Sequence, residues 1–253
     1  MRSILSVAGR EVVKELAWSN LLLGFDFDGT LAPIVTDPDA AALRPDTKAL
    51  LRNVAGLYPC LVLSGRARAD VVTRLDGTTI GLVLGNHGLE PWQARDDMSH
   101  LVAGWRAVLE RRLGPLPGVM IEDKNFTLAI HYRRSRTKRA ARAAILAVAT
   151  ELEGVRVIGG KQVINLVPAG GPTKGTAFLE ERARAGCDTA IFVGDDDTDE
   201  DVFMLEQPGR LVTVRVGRKA TSAASYYLPR QRDINELLGL LIAARMPPLR
   251  SRS

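Results

Sequence analysis

Leu21-Leu22-Leu23-Gly24-Phe25-Asp26-Phe27-Asp28-Gly29-Thr30-Leu31 is an apolar run that ends abruptly in two aspartates. Residues 21–25 have the length and composition of a buried strand, parallel to its neighbours if both faces are covered. A period of two then sets Asp26 and Asp28 on one side and Phe27 on the other. Gly29 permits an immediate turn. The stretch therefore predicts two carboxylates at the carboxyl end of a central strand, where open α/β sheets bind their ligands. Carboxylates that close repel unless something neutralises them. A hard divalent cation such as Mg²⁺, held by oxygen ligands, does so. Read alone, Asp-x-Asp-Gly is also compatible with a plain polar exit from a strand.

The 253 residues, 46% apolar and 25% charged, suit a globular protein of one or two domains. No apolar run is long enough to span a bilayer, so no membrane is expected. Residues 1–20 mix Arg2, Arg10, Glu11, Lys14 and Glu15 with apolar residues. They read as a short amphipathic helix rather than a signal peptide, which predicts a cytoplasmic protein. Cys60 and Cys187 read as buried free thiols. The net charge is +5, but the arginines are dispersed and no short segment is both basic and aromatic-rich. A nucleic-acid partner is therefore not expected, whereas an anionic small molecule fits. A monomer is the default expectation.

Helical spacing at 47–56, the short apolar strand 60–63, a helix at 67–75 and the strand 82–84 continue the pattern. Strand and helix alternate, which predicts a parallel sheet with helices on both faces. The pattern then changes. A helix at 100–113 is followed by strands at 119–121 and 126–130 around the turn 123–125. An alanine-rich helix at 137–152 precedes strands at 155–158 and 162–167 around Gly159-Gly160. This order is an inserted α+β layer at 95–169. The parallel core, 1–94, resumes over 170–253 with a helix opened by Thr173-Lys174-Gly175. The strands 189–193 and 211–216 and a helix at 234–244 follow. Residues 245–253 read as a loose tail. The fold class is thus a Rossmann-like parallel-sheet α/β core with an inserted α+β cap. Residues 91–94 and Gly170-Gly171 are the hinge candidates.

The ends of these elements carry one set of groups. Asp26 and Asp28 follow the first strand, Ser64 the second, and Asp195, Asp196 and Asp199 the last long apolar strand. Lys174 opens the helix after the linker. The acidic run 195–201 alone suits a solvated helix start, and its spacing does not fit an EF-hand. Ser64 alone reads as a helix cap and Lys174 alone as a surface lysine. His87 reads as a satisfied core histidine or a pocket-lining residue. Taken together, the set suits phosphoryl transfer. A carboxylate can form an aspartyl-phosphate, a metal shields it from the incoming anion, and a hydroxyl, backbone amides and a lysine hold the phosphate oxygens.

Asp26-Phe27-Asp28-Gly29-Thr30-Leu31, Ser64-Gly65-Arg66, Lys174 and Gly194-Asp195-Asp196 resemble, in order, the four signature motifs of the haloacid dehalogenase superfamily. Within it the chain resembles trehalose-6-phosphate phosphatases, through Gly85-Asn86-His87-Gly88, Glu122-Asp123-Lys124, His131-Tyr132-Arg133 and the acidic run 194–201. The resemblance implies hydrolysis of trehalose 6-phosphate, in trehalose biosynthesis. Asp26 would attack phosphorus. Asp28 would protonate the leaving oxygen and then activate water, a role that an adjacent anion favours by raising its pKa. Mg²⁺ would be held by Asp26, the Asp28 carbonyl and Asp195, with Asp196 and Asp199 in support. Arg66 would position the site, although alone it reads as a surface arginine. Ser64, Gly65 and Lys174 would bind phosphate. Glu122, Lys124 and Arg133 would contact the sugar, although each alone reads as a solvated charge. One departure stands out. Where the family usually has Gly-Lys-x-Val-x-Glu-x-Arg-Pro, Asn165 replaces the sugar-binding glutamate and Val167 the arginine. A neutral acceptor binds more weakly than a charged one. The alternative substrate is therefore another glycosyl phosphate: sucrose 6-phosphate, glucosylglycerol phosphate or a glycosyl-phosphoglycerate. A phosphomutase and a non-catalytic anion binder explain the set less well.

Overall fold

The computed structural model describes residues 1–92 and 96–246. In chain order the elements begin β1 (Arg2–Ser3), α1 (Val7–Ala17), β2 (Leu21–Phe25), α2 (Pro45–Ala55), β3 (Cys60–Leu63), α3 (Arg68–Arg74) and β4 (Leu82–Leu84). Then come α4 (Asp96–Leu113), β5 (Met120–Asp123), β6 (Leu128–His131), α5 (Lys138–Ala149), β7 (Val155–Gly160) and β8 (Val163–Pro168). The chain continues with α6 (Lys174–Arg184), β9 (Thr189–Gly194), α7 (Glu200–Phe203), β10 (Leu211–Val216), β11 (Tyr226–Leu228) and α8 (Ile234–Arg245).

Seven strands form one sheet in the order β1-β11-β10-β9-β2-β3-β4, and every pair is parallel. β2 lies inside it, between β9 and β3, and all five of its residues are buried. Alternation divides them. Leu21, Leu23 and Phe25 pack in one apolar cluster with Val13 and Ala17 of α1, Leu51 and Val54 of α2, and Leu237 and Leu241 of α8. Leu22 packs on the other face with Phe178 of α6, Phe192 of β9 and Phe203. The short strands β1, at the sheet edge, and β11, between β1 and β10, escape a reading by apolar runs, because Arg2–Ser3 is polar and Tyr226–Leu228 is only three residues long.

The four remaining strands form an antiparallel sheet in the order β5-β6-β8-β7. Trp105 and Leu109 of α4, Ile145 of α5, and Leu128, Ile130, Ile164 and Leu166 of its strands make a separate apolar core. This sheet corrects one detail. Gly159 and Gly160 are not the turn: they pair with Ile164 and Val163, and the chain reverses at Lys161-Gln162, where Gln162 takes φ +64. Lys161 is thereby lifted to a hairpin tip. The helix expected at 100–113 also starts earlier, at Asp96.

Gly170 of one hinge candidate has φ +81 in the turn after β8. Residues 93–94 of the other candidate, the expected domain boundary at 94–95 and residues 247–253 of the tail lie outside the described residues. Among the described residues, no helix is long and apolar enough to cross a membrane, and Cys60 and Cys187 are buried free thiols.

The β2 backbone lies so close to two rings that a Cβ on Gly24 would stand 2.6 Å from Phe178 and 2.8 Å from Phe192. Gly24→Ala should therefore destabilise the fold by about 1–3 kcal/mol through overpacking. Urea denaturation should read this as a lower midpoint at an unchanged m-value. An unchanged midpoint would contradict the packing described.

Candidate active site

β2 and β9 end side by side and deliver Asp26 and Asp195; β3 ends in Ser64-Gly65-Arg66, and β4 in Asn86-His87. The amino end of α6 points Lys174 at the same place. Thr173 caps that helix, accepting from the Thr176 amide at 3.2 Å. Lys174 is 2% exposed. Its Nζ donates to Asp26 Oδ1 at 2.7 Å and to Asp199 Oδ1 at 2.8 Å. Asp199, wholly buried, uses Oδ2 to accept from the amides of Asp195 and Asp196 at 2.8 and 2.9 Å. One carboxylate thus folds the acidic turn and anchors the lysine.

Burial is the largest influence on Asp26 and pushes its carboxyl well above the usual range; Lys174 opposes this, while Asp199 and Asp195 add to it. Burial would lower Lys174, but Asp199 and Asp26 overcome it and hold the ammonium above its usual value. Burial, with Asp199, lifts Asp195 to about 6. Oxygens of Asp26, Asp195 and Asp199 lie within 4.8 Å of one another, and buried Asp195 Oδ1 has no partner among the described residues. An all-carboxylate set with one orphaned oxygen fits a hard divalent cation such as Mg²⁺. Asp199, expected only in support, belongs to this cluster. Asp196 lines the cleft beside it.

Asp28 lines the same cleft as Asp26 while Phe27 packs in the apolar core, as the alternation predicts. β2 itself stops at Phe25, and the chain turns through Gly29 at φ +86. The Asp28 carboxylate accepts from Arg66 Nε at 2.6 Å and Nη2 at 2.9 Å. Arg66 also pairs with Asp70 at 2.8 Å and lies 5.8 Å from the Phe27 ring centre. Asp28 therefore faces a guanidinium, not an adjacent anion. Ser64 Oγ accepts from the Arg66 amide at 3.2 Å, the cap-like contact that its sequence position allows.

The antiparallel sheet closes over this floor. Lys124 Nζ donates to Gly65 O at 3.0 Å, Arg133 Nη1 to Val35 O at 3.1 Å, and Lys161 Nζ to Asp195 Oδ2 at 3.2 Å. Asn86 seats the β5–β6 hairpin: Thr127 Oγ1 donates to its Oδ1 at 2.5 Å, and its Nδ2 donates to Lys124 O at 3.1 Å. The two units enclose a cleft of about 650 Å³. Asp26, Asp28, Ser64, Gly65, Arg66 and Lys174 line it from the parallel sheet. Glu122, Lys124, Arg133 and Asn165 line it from the antiparallel one. Asn165 is buried on β8, opposite Ala129 of β6.

Sequence reasoning missed two neighbours. Lys161 is hidden in the sequence because Gly159-Gly160 reads as the turn, whereas the reversal falls at Lys161-Gln162. His131 Nε2 lies 2.7 Å from Glu122 Oε2. Burial is the largest single influence on the Glu122 carboxyl and would raise it, but this bond together with the charges of Lys124 and Arg66 holds it below its ordinary value. The pair is diagonal across β5 and β6 and depends on their register. Of the two readings of His87, the pocket-lining one holds: it lines the cleft, buried but not satisfied, and neither ring nitrogen has a partner among the described residues. This corrects the reading of it as a satisfied core histidine.

Comparison with known proteins finds relatives in sequence and in fold. A family model described as Trehalose-phosphatase matches residues 24–230. A trehalose-phosphate phosphatase of Mycobacterium tuberculosis is 38% identical over 219 residues, covering 79% of this chain and 56% of the relative. The chain thus spans only a little over half the length of that curated relative. The structure of the C-terminal domain of C. albicans trehalose-6-phosphate phosphatase superposes with a TM-score of 0.77 at 25% identity, covering 92% of this chain and 96% of that one. A sugar phosphatase of haloacid dehalogenase subclass IIB matches with a TM-score of 0.59 at 15% identity, over 86% and 97% of the two chains, which is a likeness of fold.

The raised Asp195 carboxyl has a measurable consequence. Folded, it holds a proton up to about pH 6 that the unfolded chain releases near 3.8. Without a divalent cation, this group should cost stability as pH rises through that window, by about 3 kcal/mol in all. A bound cation needs the ionised carboxylate. Added Mg²⁺ should therefore raise Tm little at about pH 4.5 and by several degrees at about pH 7.5. Melts with MgCl₂ and with EDTA at both pH values check this, and equal increments would contradict it.

Proposed function

Because the chain belongs to the trehalose-phosphatase family, we propose that it is a Mg²⁺-dependent phosphatase that hydrolyses trehalose 6-phosphate to trehalose and inorganic phosphate. The observation that carries the reading is the buried Lys174–Asp26–Asp199 cluster beside Asp195, on the floor of a cleft whose roof is rich in hydrogen-bonding side chains. Residues 1–94 and 170–253 form the phosphatase core in this proposal, and 95–169 the cap.

Asp26 attacks phosphorus, and the bond from phosphorus to the sugar oxygen breaks as an aspartyl-phosphate forms. The departing oxygen takes a proton from Asp28. Water then attacks phosphorus, losing a proton to Asp28, and phosphate leaves with Asp26 restored. Asp28 can act only when its bidentate pairing with Arg66 opens, so Arg66 keeps the acid–base group in reserve. Ser64, the Gly65 amide and Lys174 hold the non-bridging oxygens. Asp26, the Asp28 carbonyl and Asp195 would hold Mg²⁺, which supplies positive charge against the phosphate's own and keeps Asp26 ionised.

Specificity falls to Glu122, Lys124, Arg133 and Asn165, because the core meets only a phosphate. Asn165 in place of a glutamate favours a second reading, a phosphatase for another glycosyl phosphate. Its chemistry at Asp26 is the same and only the roof contacts differ.

Phosphate release from a panel of sugar phosphates and an aryl phosphate tests both readings. Turnover should need Mg²⁺, stop with EDTA, and fall by at least about 10³-fold in Asp26→Asn. Lys124→Ala should lose about tenfold or more on the sugar phosphate and far less on the aryl phosphate. Equal losses on both would remove Lys124 from sugar recognition. Unimpaired turnover by Asp26→Asn would overturn the mechanism.

A further inference from the structure

Among the described residues, His87 is the one buried side chain lining the cleft with two unpartnered ring nitrogens. It is 5% exposed. Its main-chain amide donates to Ser64 O at 2.9 Å. A Cβ built on Gly65 would stand 2.6 Å from its Cε1 and 2.9 Å from its Nε2. The ring therefore lies directly over the Ser64-Gly65 turn, and the missing side chain at Gly65 is what admits it. This is the turn whose hydroxyl and amide face the phosphate in the proposed function.

The ring is held there deliberately. Asn86 and His87 both adopt left-handed backbone, at φ +50 and +59, which non-glycine residues take only where their surroundings fix them. Asn86 is fixed by its bonds to Glu90, Lys124 and Thr127. The charged groups that bear on the imidazole are Lys174, Lys124 and Arg156, all cations. Burial and these cations keep the ring neutral at neutral pH. A neutral imidazole has one N–H donor and one acceptor nitrogen. Buried polar groups normally find partners, and a donor surrounded by cations finds its natural partner in an anionic oxygen.

We propose that His87 is a substrate-binding residue, donating a ring N–H to a phosphoryl oxygen of the substrate beside Ser64 and Lys174. This inference rests on the reading of the cleft as a phosphatase site, but it concerns binding and can be tested without turnover.

The chain has three histidines, so the ring ¹H–¹⁵N signals of His87 can be assigned by their loss in His87→Gln. Titrating the full chain with inorganic phosphate in Mg²⁺ should move the His87 signals and leave those of His100 in place. His87→Ala should weaken phosphate binding and raise KM for an aryl phosphate by about tenfold, with a smaller change in kcat. His87→Asn, which tolerates left-handed backbone and supplies an amide N–H, should recover part of that loss. Should His87→Ala fail to fold, the titration of the native chain still decides. His87 signals that move with phosphate in a chain without phosphatase activity would keep the assignment and sink the catalytic reading. Turnover with unmoved His87 signals would overturn the assignment alone, and neither response would overturn both. Signals that move with trehalose but not with phosphate would make His87 a sugar contact and overturn the proposal.

Discussion

The ion cluster of Lys174 with Asp26 and Asp199 is the constraint on which the rest depends. Parallel packing of β2 against β9 brings several carboxylates to one buried corner. Left alone, such a corner is unstable, and a buried carboxylate stripped of its partner costs about 3–5 kcal/mol. A lysine inserted from the capped start of α6 offsets that cost. The compensation is partial: Asp26 and Asp195 remain above their usual range, and Asp195 keeps an orphaned oxygen. The corner is therefore poised to accept one more cation. In the proposed mechanism, such a cation would favour the ionised form of Asp26.

The cap depends on the same corner. Lys161, at a hairpin tip, reaches down to Asp195, while Lys124 touches the Gly65 carbonyl. Both contacts join the sheet that would read the sugar to the groups that would handle the phosphate. Asn86 seats the β5–β6 hairpin, and His87 beside it faces into the cleft. One tetrapeptide, Gly85-Asn86-His87-Gly88, thus seats the β5–β6 hairpin and forms part of one wall of the cleft.

Much of this was legible in the sequence because strong local patterns coincide with it. Leu21–Phe25 can only be a strand covered on both faces, and the small and polar residues after each apolar run mark the ligand end of a parallel sheet. What escaped was non-local. The tyrosines of β11 look like loop until β10 pairs with them. Gly159-Gly160 resembles a turn by composition, and only the ladder to Ile164 and Val163 moves the reversal to Lys161-Gln162. Asp28 reaches the same cleft as Asp26, but its pairing with Arg66 joins residues far apart in the chain. The partner of Glu122 depends on a register that no single strand encodes.

The central claim is that Asp26 acts as a nucleophile, held in place by Lys174. The most direct test is a rapid acid quench of the enzyme with excess sugar phosphate and Mg²⁺, followed by mass spectrometry of the peptide that contains Asp26. The account predicts a fraction of that peptide heavier by one phosphoryl group, absent without Mg²⁺ and absent in Asp26→Asn. A phosphoryl group found on another residue, or product formation by Asp26→Asn at the native rate, would contradict it.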